Sequence, residues 1–207
     1  VLLTISNHPP YIIPPYFHPK SRKKEEQIVE YADWAVRDFM TEALKRPWAG
    51  NTLFVLLGDH GKLVGTPECE SPQSYNHIPL MIYGKGIEPR IVEEYGGQVD
   101  LAPTLLGLLR ISYTQNDFGV DLLKEKRPYM YFTADNLIGV RDSSRLYLYL
   151  PDSRQELRYR TQGRTVQAAE DDSVFRDMKH YGFSMLQCAE TMVQRGQTLN
   201  HPKARKR

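Results

Sequence analysis

The stretch that most constrains this chain is Thr52 to Lys62, TLFVLLGDHGK, an unbroken apolar run that ends abruptly in Gly58, Asp59, His60 and Gly61. The run from Thr52 to Leu57, bulky and without polar alternation, predicts a strand buried on both faces, as in the interior of a parallel sheet covered by helices. The polar pair then falls at the strand's carboxyl end. In open α/β sheets the loops there converge on a crevice above a rigid backbone, and ligands bind in it. An aspartate and a histidine side by side between glycines offer a hard oxygen and an imidazole nitrogen to one point, which is a metal-ligand pattern. A plain turn, with Asp59 capping and His60 solvated, satisfies the same four residues, so the dipeptide alone leaves both readings open.

A chain of 207 residues is long enough for one α/β domain with a real core. Its formal charge of +2 sets up no whole-chain field toward nucleic acid. The basic runs Lys20 to Lys24 and Lys203 to Arg207 carry no interleaved aromatics and read as solvated segments, so no nucleic-acid partner is expected. Cys69 and Cys188 are too far apart in sequence to chelate as a pair, and their spacing does not decide whether they form a disulfide. No apolar run approaches the roughly twenty residues of a membrane span. Val1 to Ser6, VLLTIS, reads as a buried strand met in its middle, so the chain is expected to be the carboxyl-terminal part of something longer.

That first strand ends in Asn7-His8-Pro9-Pro10, delivering a second histidine at a strand end. Pro9, Pro10, Pro14, Pro15 and Pro19 make the next segment a stiff loop carrying Tyr11, Tyr16, Phe17 and His18, either walling a pocket or hugging the surface. Apolar residues at three- and four-residue steps from Lys24 to Arg46 predict a long amphipathic helix stopped by Pro47. Strand, helix and strand in this order predict a right-handed crossover in a parallel sheet. After a polar loop, His77 opens another apolar run, Ile78 to Tyr83; it reaches the crevice if that strand runs antiparallel or the loop folds back. Asp100 is a candidate N-cap for a second helix with Pro103 in its first turn, packed on more than one side. Tyr129 to Thr133, Leu137 to Val140, Leu146 to Leu150 and Glu156 to Arg160 predict an antiparallel meander, with a turn at Asp142-Ser143-Ser144. A closing helix follows Asp171-Asp172-Ser173, its methionine stripe facing the core.

Taken in order, TISNHPPY, YADWAVRDFM, NTLFVLLGDHG, NHIPLMIYGKG, GGQVDLAPTLLGLL and FGVDLL resemble the carboxyl-terminal half of the sulfatase-like catalytic domain in the alkaline phosphatase superfamily. The branch they most resemble is lipoteichoic acid synthase and related phosphoglycerol transferases. GDHG recurs in several branches; SNHPPY with QVDLAPTLLGLL at this spacing is more specific.

The resemblance implies an α/β fold of alkaline phosphatase type, with a mainly parallel sheet flanked by helices and a small antiparallel subdomain near the carboxyl end. It implies residues 1–125 as half of the catalytic domain, 126–195 as the meander and closing helix of the same domain, and 196–207 as a disordered basic tail. The implied function is transfer of a phosphoglycerol group from an anionic phospholipid donor to a glycan or glycolipid acceptor. A covalent threonine intermediate carries the group, at the outer face of a bacterial cell membrane to which the parent protein is tethered. Asp59 and His60 match the family's metal ligands for one divalent cation, manganese first, with magnesium, calcium or zinc as alternatives. His8 matches its substrate-contacting histidine, and His77 a position that is histidine in many relatives. The nucleophilic threonine and the first acidic ligand lie upstream in the family and match no segment here. Two rivals stay open: a hydrolase of sulfate or phosphate esters on the same fold, and a non-catalytic relative serving as a binding module.

Overall fold

The computed structural model describes residues 1–4, 7–63, 65–134 and 136–197. The chain divides into two units, Val1–Leu57 with Pro79–Pro89, and Gly58–Ile78 with the chain from Arg90 onward.

In the first unit the periodic stretch forms helix α1 (Lys24–Ala43), three residues shorter than expected because the chain turns before Pro47, which opens a short 3-10 turn over Pro47–Asn51. Glu25 and Glu26 sit in its first turn, where the helix dipole favours negative charge. The proline-rich loop hugs this helix: Phe17 meets Tyr31 edge-on at 5.3 Å and Trp34 at 5.7 Å, and Tyr16 also packs on both. The apolar run forms β1 (Leu53–Leu57), which pairs antiparallel with β2 (Leu80–Gly84) from Leu53↔Gly84 to Leu57↔Leu80. Phe54, 8% exposed, is the packing centre, touched by Phe39, Trp48 and Tyr83.

This corrects the expectation of a parallel crossover. Val1–Thr4 is irregular and exposed, and the remainder of that predicted strand, Ile5 and Ser6, lies outside the described residues. Both sheets among the described residues are antiparallel. The all-apolar character of β1 therefore does not report burial on both faces here: with β2 as its one described partner, Leu57 is 38% exposed, and Met81 and Tyr83 of β2 are 55% and 51% exposed.

The second unit contains the single turn α2 (Gln73–Asn76), α3 (Leu101–Leu108), a five-stranded meander and a closing helix. The strands are β3 (Met130–Ala134), β4 (Leu137–Arg141), β5 (Arg145–Leu150), β6 (Gln155–Gln162) and β7 (Thr165–Ala168). The last of these has too little apolar patterning to be foreseen. Asp142 makes the β4–β5 turn by accepting the Ser144 and Arg145 N–H groups at 2.7 and 2.6 Å. In α3 Pro103 and Thr104 are buried, Leu101, Leu105, Leu106 and Leu108 are half-buried, and Ala102 is exposed.

Alternation gives the sheet two different faces. Val140 and Tyr147 pack on Phe175 and Met178 of α4 (Ser173–Gln194), all four fully buried. Met178 is thus the core member of the methionine stripe. Leu137, Leu146 and Leu148 form the opposite face with Phe132, Leu157 and Cys69 around them. Gly139 leaves room for the Phe132 ring on that face: a Cβ there would lie 2.4 Å from Phe132 Cζ, so the ring would have to shift. Both cysteines are free; burial, the largest influence, pushes the Cys69 thiol up.

Carboxylates tie α4 to the sheet. Asp172 caps the helix by accepting the Phe175 N–H at 3.0 Å and pairs with Arg160 at 2.8 Å. Asp171 holds Arg158 and Arg176, and Glu156 holds Lys179 and Arg158. All three carboxyls lie below their ordinary range, chiefly through the Phe175 N–H for Asp172, the Arg176 hydrogen bond for Asp171 and the Lys179 hydrogen bond for Glu156. Depressed carboxyls stabilise the fold above their unfolded values of about 4, and that contribution is lost as pH falls through the folded values. Melting temperature followed by circular dichroism should therefore be flat from about pH 7 to 5 and drop below about pH 4; a rise on acidification would refute this reading of the network.

Candidate metal and anion site

The Asp59-His60 pair follows β1 directly and belongs to the second unit. Three contacts hold the turn. Gln98 donates its side-chain amide to Asp59 O at 2.8 Å and Gly58 O at 3.2 Å. The Gly61 N–H donates to Tyr75 O at 2.8 Å, and a Cβ at Gly61 would lie 2.1 Å from Ser74 O, so only glycine permits the approach. The His60 ring stacks on Tyr75 with centroids 5.3 Å apart.

Within the pair, Asp59 Oδ1 accepts the His60 backbone N–H at 2.8 Å, and this bond, the largest influence, holds the Asp59 carboxyl below its ordinary range. His60 Nδ1 lies 2.7 Å from Gly61 O; donating there, it leaves Nε2 with its lone pair. Asp59 Oδ2 and His60 Nε2 are then 3.8 Å apart and both largely exposed. One divalent ion bonded to each at about 2.0–2.2 Å spans such a gap, so the two atoms fit a shared cation. No group of three or more His, Cys, Asp or Glu side chains is placed to hold a metal ion among the described residues.

Asp59, His60 and His77 line one pocket of about 430 Å³ together with Tyr75, Tyr95, Gln98 and Arg141. His77 is exposed, its N–H bonded to Gln73 O at 2.8 Å as α2 ends. Strand β2 runs antiparallel to β1, which was one of the two conditions for His77 to reach the crevice. His8 belongs to the first unit, exposed, with Nδ1 2.8 Å from Pro9 O. Tyr75, Tyr95 and Arg141 escaped the sequence reading, and Gln98 entered it only as part of the stretch GGQVDLAPTLLGLL. A second depression of about 430 Å³, around Asn136, Pro151 and Leu186, has no ionisable side chain in its described lining.

The family model for Sulfatase matches residues 1–111, just over half of the chain. The chain belongs to the sulfatase family. Among characterised relatives, this sulfatase-family chain is 28% identical over 130 residues to lipoteichoic acid synthase 2 of Bacillus subtilis, covering 55% of this chain and 20% of that protein. It is 30% identical over 117 residues to the lipoteichoic acid synthase-like protein YvgJ of the same organism, covering 48% and 19%. It thus spans about a fifth of the length of these relatives. Among solved structures, a protein in the alkaline phosphatase superfamily from Vibrio parahaemolyticus superposes with a TM-score of 0.77 at 24% identity, over 91% of this chain and 48% of that one. The fold is therefore that of the alkaline phosphatase superfamily, and the family is one of enzymes. No helix among the described residues is long and apolar enough to cross a membrane.

Proposed function

We propose that this chain supplies the Asp-His half of the catalytic site of a metal-dependent phosphoglycerol transferase, working at the outer face of a bacterial membrane. The observation that carries the reading is the convergence of Asp59 Oδ2 and His60 Nε2, 3.8 Å apart, on a pocket shared with His77. The similarity to lipoteichoic acid synthases supports the choice of reaction. A bound divalent cation, manganese first among the candidates, supplies charge neutralisation at the non-bridging phosphate oxygens and favours a deprotonated nucleophile.

The residues themselves have separable tasks. Asp59 stays anionic because the His60 N–H holds its carboxyl low. His60 is kept in one orientation by Gly61 O and the Tyr75 ring. His77 and His8 are assigned to the substrate, where a neutral imidazole donates a hydrogen bond to a phosphate oxygen or an imidazolium returns a proton to the leaving alkoxide. A threonine hydroxyl from a preceding segment of the parent polypeptide attacks phosphorus; the bond from phosphorus to the diacylglycerol oxygen breaks, and that oxygen takes up a proton. An acceptor hydroxyl on a glycan or glycolipid then displaces the threonine.

The family model equally supports a hydrolase of sulfate esters, and one assay separates the two. Presented with phosphatidylglycerol vesicles and manganese, the membrane-bound parent protein should release diacylglycerol and label a glycolipid acceptor, leaving an aryl sulfate intact. Cleavage of the aryl sulfate without transfer of glycerol phosphate would replace the transferase by the hydrolase.

A further inference from the structure

Strand β4 breaks its own rule at Arg141. The face formed by Leu137 and Gly139 on β4, Phe132 on β3 and Leu146 and Leu148 on β5 is apolar, and Arg141 occupies the next position on it, opposite Met130 and Leu146. A guanidinium at such a place is costly unless it is paired or in use. The other half-buried arginines of this unit are all paired: Arg127 with Asp100, Arg145 with Asp142 and Asp172, Arg158 with Glu156 and Asp171. Arg141 has no carboxylate within ion-pair distance among the described residues. Its Nη2 donates to the Tyr95 hydroxyl at 3.1 Å, its guanidinium lies 4.9 Å from the Tyr95 ring centroid, and Nε makes a long contact of 3.5 Å with Asp142 O. Tyr95 thus orients the fork without neutralising it. Arg141 lines the pocket that Asp59, His60 and His77 share.

We infer that Arg141 is the anion-recognising residue of this pocket and takes the phosphate of a glycerophosphate group through its planar donors. A guanidinium with donors to spare, stacked on an aromatic ring and lining a cavity with Asp59, His60 and His77, matches the geometry of two non-bridging phosphate oxygens. The inference rests on the proposed transferase reading for the choice of phosphate over sulfate. Its physical basis, an unneutralised and oriented cation, stands apart from the metal.

The test is titration of the 207-residue chain with sn-glycerol 1-phosphate, inorganic phosphate and sulfate in the absence of added metal, read by calorimetry. Wild type is expected to bind glycerol phosphate at least as well as phosphate and better than sulfate. Arg141→Gln should weaken glycerol phosphate binding about tenfold to a hundredfold, as loss of a charged hydrogen-bonding partner does. Arg141→Lys, which keeps the charge and loses the fork, should fall between. Both variants should melt close to wild type, because no described ion pair is removed; if Arg141→Gln alone melts early, Arg141→Lys against wild type decides. Unchanged binding in the folded arginine variants, or no binding by wild type, overturns the inference. If phosphate binding depends on Arg141 while manganese fails to stabilise the chain, the anion assignment stands and the metal reading falls. Preference for sulfate keeps Arg141 as the anion residue and moves the substrate to the hydrolase.

Discussion

Replacing Asp59 by alanine is expected to abolish stabilisation of the chain by manganese and to lower transfer activity of the parent protein by more than about a hundredfold, since disturbing even an outer partner of a metal ligand costs about 10–100-fold. Asp59 contributes the one carboxylate that, with His60 Nε2 at 3.8 Å, fits a cation, and its loss leaves a lone neutral imidazole. The side chain is 76% exposed, so the fold should survive, as surface changes alter stability by only about 0.5 kcal/mol. A cation at a hundred times its dissociation constant adds about 2.7 kcal/mol to wild type. Thermal melts with and without manganese give the readout: a shift in wild type and none in Asp59→Ala. An equal shift in both would remove Asp59 from the site. Because the His60 N–H holds the Asp59 carboxyl low, Asp59 stays an anionic ligand as pH falls and manganese stabilisation should persist into mildly acidic solution.

Asp100→Ala is expected to cost about 3–5 kcal/mol, the usual consequence of orphaning a buried charge. Asp100 is 0% exposed and the Arg127 side chain 2% exposed. The aspartate accepts from the Gly97 and Val120 N–H groups at 2.9 and 2.8 Å and from the Arg127 fork. Burial alone would make Arg127 easier to deprotonate, but its bonds to Asp100 and the opposite charge outweigh this and raise it further. Removing the carboxylate leaves a guanidinium in the interior with Phe118 O and, at 3.5 Å, the Tyr181 hydroxyl as its remaining partners. Melting temperature should fall by on the order of 10 °C. A loss under about 1 kcal/mol in urea unfolding would show that water reaches Arg127 and that the pair is not the anchor drawn here. The same substitution loosens Gly97, whose neighbour Gln98 grips Gly58 and Asp59, so binding at the pocket should weaken together with stability.

Both predictions begin from residues whose chemistry was legible and end on contacts that were not. Asp100 was recognised at a helix start, and it does occupy the N-cap position of α3, yet its side chain makes no cap bond there. It reaches instead back to the Gly97 N–H, capping the 3-10 turn Gln98–Asp100, and across to Arg127, 27 residues on, whose charge makes that pairing strong. Asp172, whose partners Arg145 and Arg160 are less buried than Arg127, does cap α4. The meander was readable because Leu146 to Leu150 and its neighbours have their period dictated by two different faces. Thr165–Ala168 was not, since an edge strand that buries little needs no apolar pattern. The parallel crossover failed for a related reason: β1 looks the same in sequence whichever strand supplies its ladder, and here β2 supplies it in antiparallel register.

The sequence by itself determined that an aspartate and a histidine stand together after an apolar strand, flanked by glycines that let the chain turn. Adjacent residues cannot be separated by folding, and Gly61 admits the close approach of Ser74 O. Only the tertiary structure decided what meets that pair: Gln98, 39 residues beyond Asp59, gripping its backbone, Tyr75 under the imidazole, and Arg141 brought from a strand of the distant meander. Those meetings depend on loop closure and sheet register, which no local periodicity encodes, because local pattern specifies which face a side chain occupies and not which residue lies across from it.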